Sequence, residues 1–157
     1  MIVVSDTSSI SNLLQIGLAD VLPTLYGKIV IPPPSRENLY TLPDQEKEIE
    51  QFSWIEVQAP EDQRRVAALL AELDLGEAES IALAIELSAQ YLLIDEYKGR
   101  QIADSYGVSI VGIIGVLIQA KQEGIIPLVS PTIEKLTQIG FRLNKQLIAS
   151  VLARLGE

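Results

Sequence analysis

The chain of 157 residues has no cysteine and no histidine, and it has only one methionine and one tryptophan. Without Cys or His there is no zinc finger, haem ligand, thiol nucleophile, disulfide framework or Ser-His-Asp triad. Positive charge is also scarce: 12 Lys and Arg stand against 21 Asp and Glu, a formal charge of −9. A protein that coats nucleic acid needs a basic face, so this balance argues against such a role. No apolar run reaches the roughly 18 residues that span a bilayer. The N-terminal stretch Met1-Ile2-Val3-Val4-Ser5-Asp6 lacks the basic segment and cleavage site of a secretory signal. The expectation is a cytoplasmic protein with no membrane contact.

What is present is oxygen. Catalysis must run on carboxylates, hydroxyls, Lys, Arg, Tyr or a hard cation, and oxygen ligands suit Mg²⁺, Mn²⁺ or Ca²⁺. Apolar residues make up 48% and aromatics 5%, which implies a real, aliphatic core. The length suits one domain over 1–157.

The apolar runs Ile2-Val3-Val4, Lys28 to Ile31, Trp54 to Val57, Tyr91 to Ile94 and Val108 to Val111 read as strands. Between and after them lie helical patterns. One passes through Ile10, Leu13 and Leu14, and another over Glu61–Glu72 is broken at Leu75-Gly76. Others run over Glu77–Ser88, through Ile102 and Ala103, and over Ile113–Glu123, Pro131–Ile139 and Asn144–Leu155. Pro32-Pro33-Pro34 stops the second strand and leads into a helix over Ser35–Tyr40. Unbroken apolar strands alternating with helices imply a mostly parallel sheet buried on both faces. The expected fold class is therefore α/β, a three-layer α/β/α sandwich.

In such a sheet, ligands bind beyond the carboxyl ends of the strands. Asp6 follows the first strand, Glu37 the second, and Asp95 and Glu96 the Tyr91–Ile94 strand. Each alone could be a helix cap or a surface acid. Together they would gather at one edge, where converging carboxylates favour a cation. At about 100° per residue, Glu77 lies at the rim of its helix's apolar face, where it can point into a cleft. Glu79 and Glu86 fall on the opposite, exposed face.

Three stretches carry a family resemblance. Val3-Val4-Ser5-Asp6-Thr7-Ser8 resembles the opening strand and Asp-Thr/Ser motif of PIN-domain ribonucleases. Leu75 to Ala84 is similar to that family's middle acidic helix, and Leu92 to Ala103 to its strand with a late acid. Residues 112–124 and 136–157 resemble a prokaryotic PIN-like subfamily often encoded in toxin–antitoxin-type gene pairs. The resemblance implies Mg²⁺- or Mn²⁺-dependent hydrolysis of RNA phosphodiesters. It implies a catalytic quartet of Asp6, Glu37, Glu77 and Asp95, with Asp6, Glu77 and Asp95 on the metal. Thr7, Ser8 and Glu96 would support it. Arg36, Lys98 and Arg100 are candidate phosphate contacts. A small antitoxin protein and a homodimer are the expected partners. With no His, a metal-bound water takes over more of the proton handling.

Other classes compete with this reading. A PIN-like module that binds RNA or protein without turnover fits the −9 charge. A receiver domain expects paired acids after the first strand, where only Asp6 stands. An Asp-x-Asp phosphatase would need an acid at position 8, which is Ser.

Overall fold

A computed structural model describes residues 1–33 and 48–157. The helix expected over Ser35–Tyr40 lies outside the described residues, as do Arg36 and Glu37. The strands are β1 (Val3–Ser5), β2 (Ile29–Ile31), β3 (Ile55–Val57), β4 (Tyr91–Leu93) and β5 (Ile110–Val111). They form one sheet in the order β3-β2-β1-β4-β5, and every pair is parallel.

Because successive strand residues point to opposite faces, each strand feeds two cores. Val3, Ile29, Ile31 and Leu93 point to one face. There they meet α1 (Thr7–Gln15), α2 (Val21–Tyr26), α6 (Ile113–Gln122) and α7 (Ser130–Gln138) through Ile10, Leu13, Leu22, Leu117 and Leu136. Val4, Val30, Leu92 and Ile94 point to the other face. They meet α3 (Gln63–Leu69), α4 (Leu75–Glu86) and α5 (Tyr97–Ser105) through Val66, Leu69, Ile81, Leu83 and Ala103. The result is the three-layer sandwich. The inner strands β1 and β2 read as continuous apolar runs because neither face meets water, whereas edge strand β3 exposes Glu56 and Val57.

Side-chain caps set several helix starts. Asp6, Asp62, Asp74 and Asn144 each accept a backbone N–H from the first turn of α1, α3, α4 and α8 (Lys145–Arg154). This corrects the reading of Leu75-Gly76 as a break. The break is at Asp74, and Leu75-Gly76 is the opening of α4, so Glu77 is its third residue. Gly76, the second residue of the first turn, misleads because the Asp74 cap outweighs its low helix propensity. Helix α3 is shorter than the Glu61–Glu72 pattern and starts after its Asp62 cap. Glu86, expected on an open face, instead accepts the N–H groups of Glu61 and Asp62 ahead of α3. Gly107 and Gly124 follow α5 and α6 with φ near +77° and +76°, the left-handed conformation expected of glycine helix stops.

Glu157 fastens the last helix to the body. Its carboxylate accepts from Lys121 Nζ at 2.7 Å, from Ser130 N at 2.9 Å, from Ser130 Oγ at 2.8 Å and from Val129 N at 3.0 Å. It thereby joins α6 to the N-terminus of α7, where an anion is favoured. The Lys121 ammonium, with these N–H and hydroxyl groups, lowers its pKa from 4.5 to about 2. A depressed carboxylate stabilises the fold above its unfolded pKa, and that contribution is lost as pH falls from 4.5 to 2. Glu157→Gln is therefore expected to melt below the parent protein at pH 7. The difference should shrink steadily between pH 4.5 and 2 in thermal melts followed by circular dichroism.

Candidate functional site

The strand order reverses between β1 and β4: the chain runs outward from β1 to β2 and β3, then returns to place β4 on the other side of β1. Such a switch point opens a crevice beyond the strand ends. The register Ser5↔Leu93 places the residues after both strands side by side, and Asp6 N donates to Leu93 O at 3.2 Å.

Asp6 and Asp95 meet there through one serine. Asp6 Oδ1 accepts the backbone N–H of Ser9 at 2.9 Å, and Ser9 Oγ donates to Asp95 Oδ2 at 3.0 Å. The other oxygen of Asp95, Oδ1, accepts the N–H of Ile113 at 2.8 Å. Asp95 thus occupies the N-terminus of α6, whose own cap residue is Gly112. A Cβ at Gly112 would stand 3.0 Å from Asp95 Oδ1, so the glycine leaves room for that approach.

Glu77 arrives from the second layer. Its N–H is used by the Asp74 cap at 2.8 Å, and its Oε2 is buried with no hydrogen-bond partner among the described residues. That oxygen lies against the first turn of α5. A Cβ at Gly99 would be 2.8 Å from Glu77 Oε2 and 2.8 Å from Ile94 Cδ1. Only a glycine lets the helix come this close.

The electrostatics follow from crowding and burial. Desolvation raises the Asp6 pKa to about 7; the Ser9 hydrogen bonds oppose this, and the charges of Asp95 and Asp74 add to it. Glu77 is pushed up to about 8, chiefly by burial and then by Asp74, Glu96 and Asp6. Asp95 is also raised by burial, against the opposing pull of Ile113 N–H, Ser9 and the Arg100 guanidinium. Burial and the neighbouring acids therefore raise Asp6 and Glu77 far enough that both hold protons near neutrality.

Of the residues singled out in the sequence, Asp6, Glu77 and Asp95 share this neighbourhood. Glu37 and Arg36 lie outside the described residues. Thr7 is buried and Ser8 half-buried in the first turn of α1, while the cap itself belongs to Asp6. Glu96 is exposed at the start of α5, with no side-chain cap bond. Arg100 is half-buried near Asp95. Lys98 is exposed and faces Glu72 at 4.0 Å, a surface pair worth little. Three contributors escaped the sequence reading: Ser9, Asp74 and Gly99. Asp74 had a signal, since an Asp three residues before a Glu is a capping pattern.

All the donors are carboxylate oxygens, which suits a hard divalent cation. Among the described residues no three acids stand close enough to hold a metal ion as they are. Mg²⁺ commonly needs only one or two carboxylates and keeps several waters, so the donor set fits in kind.

A family model described as a PIN domain matches residues 2–157. The chain belongs to the PIN-domain family. PIN domains are generally nucleases and typically use divalent metals. No curated protein matches the chain. Among the described residues of this PIN domain, no helix is long and apolar enough to cross a membrane.

Two outcomes are expected where the PIN domain's half-buried Glu77 presses on Gly99. The folded state holds the Glu77 proton up to about 8 against an ordinary 4.5, so stability falls as pH rises through that window. In chelator at pH 9, Glu77→Gln should melt above the parent by roughly 2–4 °C, the shift expected of about 1 kcal/mol; the two should coincide near pH 4. Gly99→Ala should lower stability by about 1–3 kcal/mol through overpacking, measured by urea unfolding.

Proposed function

We propose that this PIN domain is a Mg²⁺- or Mn²⁺-dependent endoribonuclease. The observation that carries the reading is the buried Oε2 of Glu77, without a partner among the described residues and set in a crevice with Asp6 and Asp95. A buried carboxylate oxygen without a donor is expensive unless a cation or proton satisfies it. Asp6, Glu77 and Asp95 would hold the cation, and Glu37 would complete the quartet. A divalent cation bound there supplies Lewis acidity and neutralises charge at the scissile phosphate.

The protein's own groups do the positioning. Ser9 ties Asp95 to the turn that Asp6 caps, so the two carboxylates keep a fixed relation. Ile113 N–H holds Asp95 from the far side. Arg100, close enough to Asp95 to lower its pKa, offers a charge for a phosphate oxygen. In the hydrolysis, a water oxygen bonds to phosphorus as the ester P–O bond breaks. The proton lost by the water ends on the departing oxygen. With no His in the chain, that transfer falls to carboxylates and solvent.

The same reading includes a cytoplasmic setting, a homodimer, and a toxin role with a small antitoxin protein as partner. The last is supported by the subfamily resemblance over residues 112–124 and 136–157. A second reading, a PIN-like module that binds RNA or protein without turnover, draws on the lack of a three-acid group among the described residues.

Incubation of purified protein with single-stranded and structured RNA, with Mn²⁺ or with EDTA, separates the two. Cleavage in Mn²⁺ that EDTA stops, and that Asp6→Asn and Asp95→Asn each reduce by at least about 100-fold, is the expected result. No cleavage with any divalent metal, or equal cleavage by Asp6→Asn, would sink the enzyme reading. Asp6→Asn suits this test because the amide oxygen can still accept the Ser9 N–H.

A further inference from the structure

Helix α8 has no buried residue. Ile148, Leu152 and Leu155 are half-buried and pack against the larger core. On another flank, Leu147 and Val151 border a cleft of about 700 Å³. Residues of β5 and α6, among them Ile110, Ile114 and Ile118, form its other wall, and Asp95 and Arg100 belong to its lining. A helix with so little buried side chain depends on what holds its two ends, and the two ends differ.

The far end is fastened by one carboxylate. Gly156, with φ near +75°, turns the chain after α8, and Glu157 N donates to Leu152 O at 2.8 Å. This turn brings Glu157 back to the body. Its side chain is only 4% exposed and gathers donors from two other helices, Lys121 of α6 and Val129 and Ser130 at the start of α7. Lys121 Nζ also donates to Leu155 O at 2.9 Å. One ammonium therefore holds both the acid and the last turn of the helix.

The near end is a free joint. Gly140, with φ near +89°, closes α7, and Phe141 N donates to Leu136 O at 3.0 Å. Asn144 Oδ1 accepts from Gln146 N at 2.9 Å and Leu147 N at 3.1 Å, so it caps α8 alone. Between these two closed turns, Arg142 and Leu143 make no backbone hydrogen bond among the described residues. A short segment of this kind can absorb the change in φ and ψ that a hinge needs.

We propose that α8 is a hinged strap: it leaves the body as one unit about Arg142 and Leu143, Glu157 is its catch, and its release widens the cleft beside α6. The Asn144 cap and the Gly156 turn lie within the strap, so neither resists release. What resists is the partial apolar contact and a set of charge-assisted hydrogen bonds concentrated on one side chain. Segments with few buried apolar contacts open before the whole fold does. The inference concerns the motion of α8, and it stands apart from the ribonuclease reading.

Amide hydrogen exchange of the full chain, resolved by NMR at several urea concentrations below the unfolding transition, tests it. A free helix of ten residues is marginal in water, so α8 amides exchange once the strap is released. They should exchange as a group, with protection at least about 100-fold below that of β1 and β4 and with a shallower urea dependence, because less surface opens. The Phe141 amide should stay with α7. Glu157→Gln should speed α8 exchange by at least about tenfold, as expected for lost hydrogen bonds to a charged group. Lys121→Met should do the same, and the double variant should exceed the larger single effect by less than about threefold, since both remove one catch. If Glu157→Gln does not fold, Ser130→Ala removes a single donor and should speed α8 exchange by about threefold. The chain has no cysteine, so Ile118→Cys in the α6 wall reports the widening: a bulky maleimide should label it faster in the Glu157→Gln background.

Amides of α8 that share the protection and urea dependence of β1 and β4 would overturn the proposal, since the helix would then leave only with the whole fold. Residue-by-residue fraying from one end would also overturn it, as would unchanged α8 exchange in Glu157→Gln and Lys121→Met. Equal labelling of Ile118→Cys with and without the catch would overturn the widening of the cleft.

Discussion

The pairing of β1 with β4 is the contact on which the site depends. These strands lie 86 or more residues apart in the chain and meet in parallel register, Val3 to Tyr91 and Ser5 to Leu93. Their burial is complete on both faces, with Val4 and Leu92 on one side and Val3 and Leu93 on the other. A one-residue slip would send each of these side chains to the wrong layer. The same slip would move Asp95 away from Ser9. Hydrophobic register thus determines the distance between two carboxylates that have no other reason to meet.

Buried acids destabilise a fold unless something answers their charge. Here part of the answer is backbone. In a parallel α/β sheet, the helix that follows a strand starts at the strand's carboxyl end, so helix N-termini converge on the crevice. Asp6 caps α1, Asp74 caps α4, and Asp95 accepts the first N–H of α6. These partial positive charges hold the acids in place without neutralising them. Among the described residues Glu77 has no such answer for Oε2, which is the oxygen that the proposed cation would satisfy. On the proposed reading, stability and function pull in opposite directions at this residue, as they commonly do at active sites.

Much of the architecture was legible in the sequence. Unbroken runs such as Tyr91 to Ile94 read as strands buried on both faces, and the structure places Leu92 and Leu93 in the cores on opposite sides of the sheet. Element boundaries were less legible where two local preferences competed. Leu75-Gly76 looked like a break because glycine disfavours helix interiors, yet Asp74 starts a helix through it. The full extent of the site was less legible still. Ser9 sits in a serine-rich cap where nothing local distinguishes it from Ser8, and its bond to Asp95 spans 86 positions. Gly99 looks like an ordinary glycine in a polar helix until Glu77 and Ile94 are seen to press against it.

The sequence by itself determined the chemistry available: carboxylates, no imidazole, no thiol, and an aliphatic core patterned for a parallel sheet. Those are properties of residue type and of spacing along the chain, which act locally. It also nominated Asp6, Glu77 and Asp95, because acids after strands and at helix rims are visible one element at a time. Only the tertiary structure decided which acids share a crevice, which oxygen is left without a partner among the described residues, and that two arginines and a phenylalanine line a cleft leading away from it. Those depend on strand order and on helix approach distances, which long-range packing sets and no local pattern encodes.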